Sequence, residues 1–120
     1  MTHATFKAKL MIKLQQRYLD KIRIYTAISA NVFYKTKRGF KGPFKIGNKG
    51  IPDLYGYIKG KPAIPFWIEC KVGRDKLSPD QEKHKKLAKD IGILFCEARS
   101  FQDAYSFIDE ASFGQDAPPT

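Results

Sequence analysis

Residues 50–71 read GIPDLYGYIKGKPAIPFWIECK and contain two candidate strands. The Lys-Gly-Lys-Pro segment at residues 59–62 has the composition of a turn. The flanking segments are rich in aromatic and branched apolar residues, which favour strands. We therefore predict a hairpin whose strands are residues 53–59 and 64–72.

The predicted hairpin carries three charged side chains of interest, Asp53, Glu69 and Lys71. Because strand side chains alternate between faces, Glu69 and Lys71 point the same way and Cys70 points the other way. The hairpin would also bring Asp53 beside Glu69. Two carboxylates and an ammonium on one sheet face can hold a divalent metal and stabilise a charged transition state, as phosphodiester cleavage requires. The simpler alternatives are a turn role for Asp53 and an ion pair between Glu69 and Lys71.

Three motifs in order resemble the VRR-NUC branch of the PD-(D/E)XK nuclease superfamily, which includes small stand-alone members from phages. They are GIPDL at residues 50–54, WIECK at residues 67–71 and LSPDQ at residues 77–81. The resemblance covers about residues 49–99. It implies an α/β (α+β) fold with a restriction-endonuclease-like core, in which helices flank a mixed central sheet.

The same resemblance implies roles for individual residues. Asp53 and Glu69 would bind Mg²⁺ (or Mn²⁺), with the backbone carbonyl of Cys70 as a third ligand. Lys71 would position or activate the attacking water, and Gln81 would face the active site from the following helix. The family usually carries a glutamate on its first helix that completes the metal site, but no glutamate precedes Glu69 in this chain.

The pattern along the chain predicts the element order α-β-β-β-α-β-α. Apolar residues at three- and four-residue spacing predict a first helix over residues 5–26, with Thr5 as its N-cap. Ser78 and Ser100 are predicted caps of two later helices. The remaining predicted elements are an edge strand at residues 31–36, the hairpin, a helix at 78–90, a parallel strand at 93–98 and a helix at 100–109.

The formal net charge is +10, and 12 of the 22 basic residues but one of the 12 acids lie in residues 1–49. This asymmetry favours a polyanionic partner such as nucleic acid. Residues 37–50 are rich in glycine and lysine, and we predict a long mobile loop that follows the DNA backbone; a plain connector is the alternative. The candidate phosphate contacts are Lys35, Lys37, Arg38, Lys41, Lys45, Lys49, Arg74 and Lys76.

The remaining titratable residues receive structural interpretations. Cys70 and Cys96 lack metal-ligand spacing, so we expect buried free thiols. His84 is expected to be a solvated helix residue, and His3 to be disordered. The sequence has no apolar run long enough to span a membrane. We expect a cytoplasmic protein, in the host cytoplasm if a phage encodes it.

The residues and the resemblance together predict a divalent-metal-dependent DNA endonuclease that acts on branched or duplex DNA. Four-way junctions or flaps as substrates are what the resemblance to small members of the family implies. One domain, residues 1–111, would be followed by a disordered tail at residues 112–120. We expect a homodimer, because cutting two strands needs two sites and the small family members that this chain resembles look like homodimers. The alternatives are a non-catalytic nucleic-acid-binding module and an RNA-directed nuclease, since phosphate contacts carry no sugar or sequence code.

Overall fold

The computed structural model describes residues 1–26, 30–46 and 52–116, with side chains described at all of these except 30–36, 40–46 and 113–116. Within these ranges the chain has an α+β fold. Its elements are helix α1 (His3–Tyr18), a short 3-10 helix (Leu19–Lys21), strands β1 (Ile22–Thr26), β2 (Ala30–Thr36), β3 (Gly39–Ile46), β4 (Leu54–Ile58) and β5 (Ile64–Cys70), helix α2 (Pro79–Ile91), strand β6 (Leu94–Ala98) and helix α3 (Phe101–Asp116). No helix in this described part is both long and apolar enough to cross a bilayer.

The main sheet has four strands in the order β1-β4-β5-β6. The strands β1, β4 and β5 pair antiparallel, and Leu54 of β4 lies opposite Ile68 of β5. The strands β5 and β6 pair parallel, with Ile68 opposite Cys96, because α2 returns the chain to the same end of the sheet. The predicted central hairpin and mixed sheet are therefore confirmed.

Helices α1 and α3 pack against one face of this sheet and enclose the core. Phe6, Leu10, Leu14 and Tyr18 recur at every fourth position of α1 and form the apolar stripe that such packing needs. The hydroxyl of Tyr18 donates to Oδ1 of Asp109 over 2.7 Å, which ties α1 to α3. The buried sheet residues are Ile22, Ile24, Leu54, Ile58, Phe66, Ile68, Cys70, Cys96 and Ala98.

The first helix is shorter than its apolar spacing predicted. It ends at Tyr18, and its N-cap is Thr2, whose side chain accepts a hydrogen bond from the backbone N–H of Thr5. Ile22 and Ile24 then alternate with exposed residues in β1. The four-residue step from Tyr18 to Ile22 fits both a helical stripe and the start of a strand, so the sequence pattern concealed this strand.

The prediction of a mobile loop at residues 37–50 was wrong for its described part. Residues Gly39–Ile46 form strand β3, which pairs antiparallel with β2 in a separate two-stranded sheet. The turn lies at Lys37 and Arg38, and Gly39 has φ of 111°, a conformation that favours glycine. The strand at residues 31–36 is present, but it lies in this separate sheet. The alternation of Phe40, Phe44 and Ile46 with lysines was a strand signal that the glycine and lysine content masked.

The two later helices begin where their caps predicted. Ser78 and Gln81 form a capping box at the start of α2, and Pro79 is its first residue. The backbone N–H of Asp103 donates to Oγ of Ser100 over 3.1 Å at the start of α3. Helix α3 continues to Asp116, so the first part of the predicted disordered tail is helical, and residues 117–120 lie outside the described residues.

Candidate metal centre

Asp53 stands immediately before β4 and is fixed against the neighbouring strand. Its Oδ2 atom accepts a hydrogen bond of 2.8 Å from the backbone N–H of Cys70. Its backbone carbonyl accepts from the hydroxyl of Thr26 on β1 over 3.3 Å. The side chain is 14% exposed. Asp53 is thus held rigidly at the end of β5 while its carboxylate still reaches solvent.

Glu69, the second predicted ligand, is 2% exposed near the end of β5. Burial, followed by the hydrogen bond and the charge of Asp53, raises its pKa from 4.5 to about 9, while Lys71 and Lys7 act in the opposite direction. A buried carboxylate beside a second carboxylate is costly when both are charged. The pair therefore requires a shared proton or a cation.

Gln81 of α2 connects Glu69 on β5 with Lys71, the residue that follows this strand. Its Nε2 donates to Oε1 of Glu69 over 2.9 Å, and its Oε1 accepts from Nζ of Lys71 over 2.7 Å. The same Oε1 accepts from the backbone N–H of Ser78 over 2.8 Å, as part of the cap of α2. Gln81 thus contacts Glu69 and Lys71, the side chains that it was expected to face, and its role in an active site stays a prediction. Glu69 and Lys71 are therefore linked through the amide of Gln81 and not by a direct ion pair.

His3 belongs to this cluster, and the expectation that it is disordered was wrong. It lies in the first turn of α1, and its Nε2 is 3.0 Å from Oδ2 of Asp53 and 3.0 Å from the carbonyl oxygen of Cys70. Because a carbonyl oxygen can only accept, Nε2 carries the proton in this contact and must release it before it can bind a metal ion. Lys7 follows one turn later and is close enough to influence the charge on Glu69. In the sequence, His3 and Lys7 are simply two polar residues one helical turn apart. That spacing does not reveal that the start of α1 lies beside Asp53 and Glu69.

The donor set fits a divalent cation. One ligand atom from each of His3, Asp53 and Glu69 lies within 4.8 Å of the others. The carbonyl oxygen of Cys70 contacts the same His3 nitrogen. Carboxylate and carbonyl oxygens suit magnesium and manganese, and imidazole suits first-row transition metals. A cation here would also supply the positive charge that the buried carboxylates need.

The predicted phosphate-contacting residues lie in two places. Arg74 and Lys76 are exposed in the loop that follows β5, three and five positions after Lys71. Lys37 and Arg38 are exposed at the turn between β2 and β3. Lys35, Lys41 and Lys45 lie on those two strands with side chains outside the described set, and Lys49 lies outside the described residues.

Other titratable residues serve the fold. Cys70 and Cys96 are free and buried, as predicted, and burial raises the pKa of both thiols to about 12. His84 is less solvated than expected, because Nδ1 lies 2.9 Å from the carbonyl oxygen of Asp80 and its ring packs 6.3 Å from Trp67. The thiols of Cys70 and Cys96 and the imidazole of His84 are not part of the group of possible metal ligands formed by His3, Asp53 and Glu69.

Comparisons with known protein families, with curated proteins and with solved structures return no match to this chain. The resemblance to VRR-NUC nucleases therefore rests on the three motifs themselves. A functional interpretation depends on those motifs and on the geometry of the cluster formed by His3, Asp53, Glu69, Lys71 and Gln81.

Proposed function

We propose that this chain is a divalent-metal-dependent endonuclease that hydrolyses phosphodiester bonds in DNA, on a restriction-endonuclease-like core of VRR-NUC type. The observation that carries the proposal is the convergence of ligand atoms from His3, Asp53 and Glu69 within 4.8 Å of one another. These residues come from α1, from the residue before β4 and from β5. Their convergence with Lys71 and Gln81 is unnecessary for packing a small core, and it supports a catalytic site.

Asp53 and Glu69 would hold the cation together with the carbonyl of Cys70, and His3 would take the place of the first-helix glutamate. A bound divalent ion would polarise the scissile phosphate and lower the pKa of an attacking water. Asp53 is ordered for this task before any ligand arrives, because the N–H of Cys70 already donates to it. Such pre-organisation reduces the rearrangement needed during the reaction.

Lys71 would supply positive charge beside the phosphate oxygens. Its ammonium is held by a 2.7 Å hydrogen bond to Gln81, and the residue is 9% exposed. A cation held in a largely desolvated place stabilises developing negative charge more strongly than a mobile surface lysine does. Gln81 would therefore act as a positioning residue for both Lys71 and Glu69.

The charge distribution supports DNA as the substrate. Lys7 lies beside the candidate centre, and Arg74 and Lys76 are exposed just beyond the catalytic strand. Lys37 and Arg38 at the hairpin turn would contact the backbone farther away. Two copies of the chain would supply one site for each strand of branched DNA, so a homodimer belongs to the proposal.

A cleavage panel tests the proposal. Linear duplex, single strand, flap and four-way junction would be incubated with magnesium, manganese or EDTA. We expect metal-dependent cutting by the wild-type chain, with branched DNA cut fastest, and no cutting by Asp53→Asn or Glu69→Gln. Asp90→Asn and Glu110→Gln are matched controls, because both residues are exposed on helices away from the cluster.

The panel also separates the alternatives. Binding of DNA without cutting under any metal condition would contradict the enzyme and leave a non-catalytic binding module. Cleavage of RNA versions of the same substrates in preference to DNA would identify an RNA-directed nuclease. Cleavage that persists in Asp53→Asn would show that the cluster is not the active site.

A further inference from the structure

The face of the main sheet opposite α1 carries exposed aromatic rings on its first two strands. Tyr25 of β1 and Tyr55 of β4 are 45% and 42% exposed and lie directly opposite each other. Their ring centroids are 5.5 Å apart and the planes are tilted by 28°, so the two rings form a stacked pair. We call Tyr25 and Tyr55 the tyrosine pair. Two large exposed rings side by side on one face of a sheet are a feature of binding surfaces.

The tyrosine pair adjoins the candidate metal centre. Tyr55 lies opposite Trp67 on β5, and Glu69 follows Trp67 by two residues on the same face of that strand. Asp53 precedes Tyr55 by two residues, a separation of about 7 Å along a strand. Tyr55 is therefore the next side chain after Asp53 on this face of the sheet, and its neighbour Trp67 is the one before Glu69.

On the side of the tyrosine pair that lies away from the two carboxylates, the nearby charges are positive. Arg23 is exposed on the same face, opposite Tyr57, and neither β1 nor β4 contains an acidic residue. Lys21 and Lys59 meet at the far end of these strands, where the backbone N–H of Lys59 donates to the carbonyl of Lys21 over 2.8 Å. Exposed aromatic rings with a cation on the same face match the chemistry of a nucleotide, whose base stacks and whose phosphate is anionic.

We propose that the tyrosine pair is a stacking site for an unpaired base next to the phosphate that is cut. This proposal rests on the proposed nuclease function and adds a substrate-binding site to it. An exposed aromatic ring can stack on the face of a base only after that base has left its helical stack. Arg23 contacts the phosphate of the same nucleotide, and the metal centre acts on a phosphate nearer Asp53.

Binding measured without cleavage tests the site. A labelled DNA duplex, with or without an unpaired extension, would be titrated with the full chain in EDTA by fluorescence anisotropy. Replacing both tyrosines by leucine keeps apolar bulk and removes the rings. We expect this variant to bind the extended duplex roughly tenfold or more weakly, as loss of a base–aromatic stack predicts, and the blunt duplex with unchanged affinity. The double Tyr→Phe variant keeps the rings and should bind like the wild-type chain.

A second measurement uses the unmodified chain and does not depend on the folding of any variant. A 2-aminopurine base placed at successive positions of the unpaired extension should change in fluorescence at one position, beside the cleaved phosphate. An RNA extension serves as a parallel arm and identifies which sugar the site accepts. A uniform fluorescence response at all positions would overturn the proposal.

The remaining outcomes distinguish the two proposals from each other. Unchanged binding of the extended duplex by the leucine variant, with cleavage intact, would overturn the stacking site and leave the nuclease function standing. Position-specific stacking with no cleavage under any metal would retain the stacking site and overturn the nuclease. If the leucine variant no longer self-associates in sedimentation but binds DNA as the wild-type chain does, the tyrosine pair is a contact between two copies of the chain. That result would overturn the stacking site.

Discussion

The Nε2 atom of His3 lies 3.0 Å from Oδ2 of Asp53, although the two residues are 50 positions apart in the chain. The contact exists because α1 crosses the inner face of the sheet and begins at the end where β5 finishes. An imidazole thus occupies the side of the carboxylate pair nearest α1. The composition of the candidate metal centre is therefore set partly by the first turn of the first helix.

The imidazole of His3 should influence which metal is bound. Nitrogen ligands favour manganese and later transition metals more than magnesium. We expect His3→Ala to weaken Mn²⁺ binding by about tenfold, the effect of losing ~1.4 kcal/mol, and His3→Glu to tighten Mg²⁺ binding. Isothermal titration with each metal measures both changes. Equal Mn²⁺ affinity in the wild-type chain and in His3→Ala would show that His3 is not a ligand.

The stability of the metal-free chain should depend on pH through Glu69. Because its pKa is raised from 4.5 to about 9, the folded chain binds this proton more tightly than the unfolded chain does between those values. The free energy of unfolding should therefore fall as pH rises through this range in EDTA. Added Mn²⁺ should stabilise the fold increasingly at higher pH, since a cation replaces the proton.

Urea unfolding at a series of pH values measures this dependence, and Glu69→Gln is the control. The amide cannot ionise, so this variant should lack the loss of stability with rising pH. If Glu69→Gln retains the same slope as the wild-type chain, another group is responsible.

Lys71 should matter for turnover and little for affinity. Lys71→Met keeps the length of the side chain but removes the ammonium that Gln81 holds. We expect the single-turnover cleavage rate to fall by about 10²–10³-fold, as when one preorganised donor is removed, with DNA affinity close to that of the wild-type chain. Wild-type cleavage rates in this variant would reduce Lys71 to a structural partner of Gln81.

Gly56 should be intolerant of any side chain. A Cβ atom on this residue of β4 would collide with the backbone carbonyl oxygen of Arg23 on β1. Since a paired strand cannot yield locally, Gly56→Ala should destabilise the fold by about 1–3 kcal/mol. Thermal or urea unfolding measures the loss. An unchanged Tm would mean that β1 and β4 are farther apart than described.

The two cysteines should be unreactive in the folded chain. Burial raises the pKa of Cys70 and Cys96 to about 12, so almost no thiolate is present near neutral pH. A disulfide-exchange reagent should react slowly in native buffer and should titrate both thiols at once in denaturant. Rapid reaction of either thiol in native buffer would contradict its burial.

The part of the fold that contains the motifs could be predicted from the sequence, because its signals are local. Ser78, Pro79 and Gln81 mark the start of α2, and the segment around residue 60 marks the turn of the central hairpin. Alternation of side chains then placed Glu69 and Lys71 on one face. The link through Gln81 follows from the position of α2 over that face, which its capping residues helped to predict.

The elements that the sequence concealed depend on contacts between distant segments. Strand β1 is stabilised by pairing with β4, with Ile24 opposite Gly56, and this partner is far along the chain. Strand β3 is defined by its pairing with β2 despite a composition typical of loops. His3 joins the site through the packing direction of α1. Each of these features results from tertiary placement, which local patterns do not contain.

The path of the chain between β1 and β4 has a consequence for engineering. Thr26, the last residue of β1, lies opposite Leu54, the first residue of β4, so the two strand ends are already neighbours. A tight two-residue turn could join adjacent antiparallel strands at such a point. The β2–β3 unit is thus an insertion between two strands that are already paired, and the main sheet does not need it to form. A chimera could exchange this unit for one from another protein while the carboxylate pair stays in place.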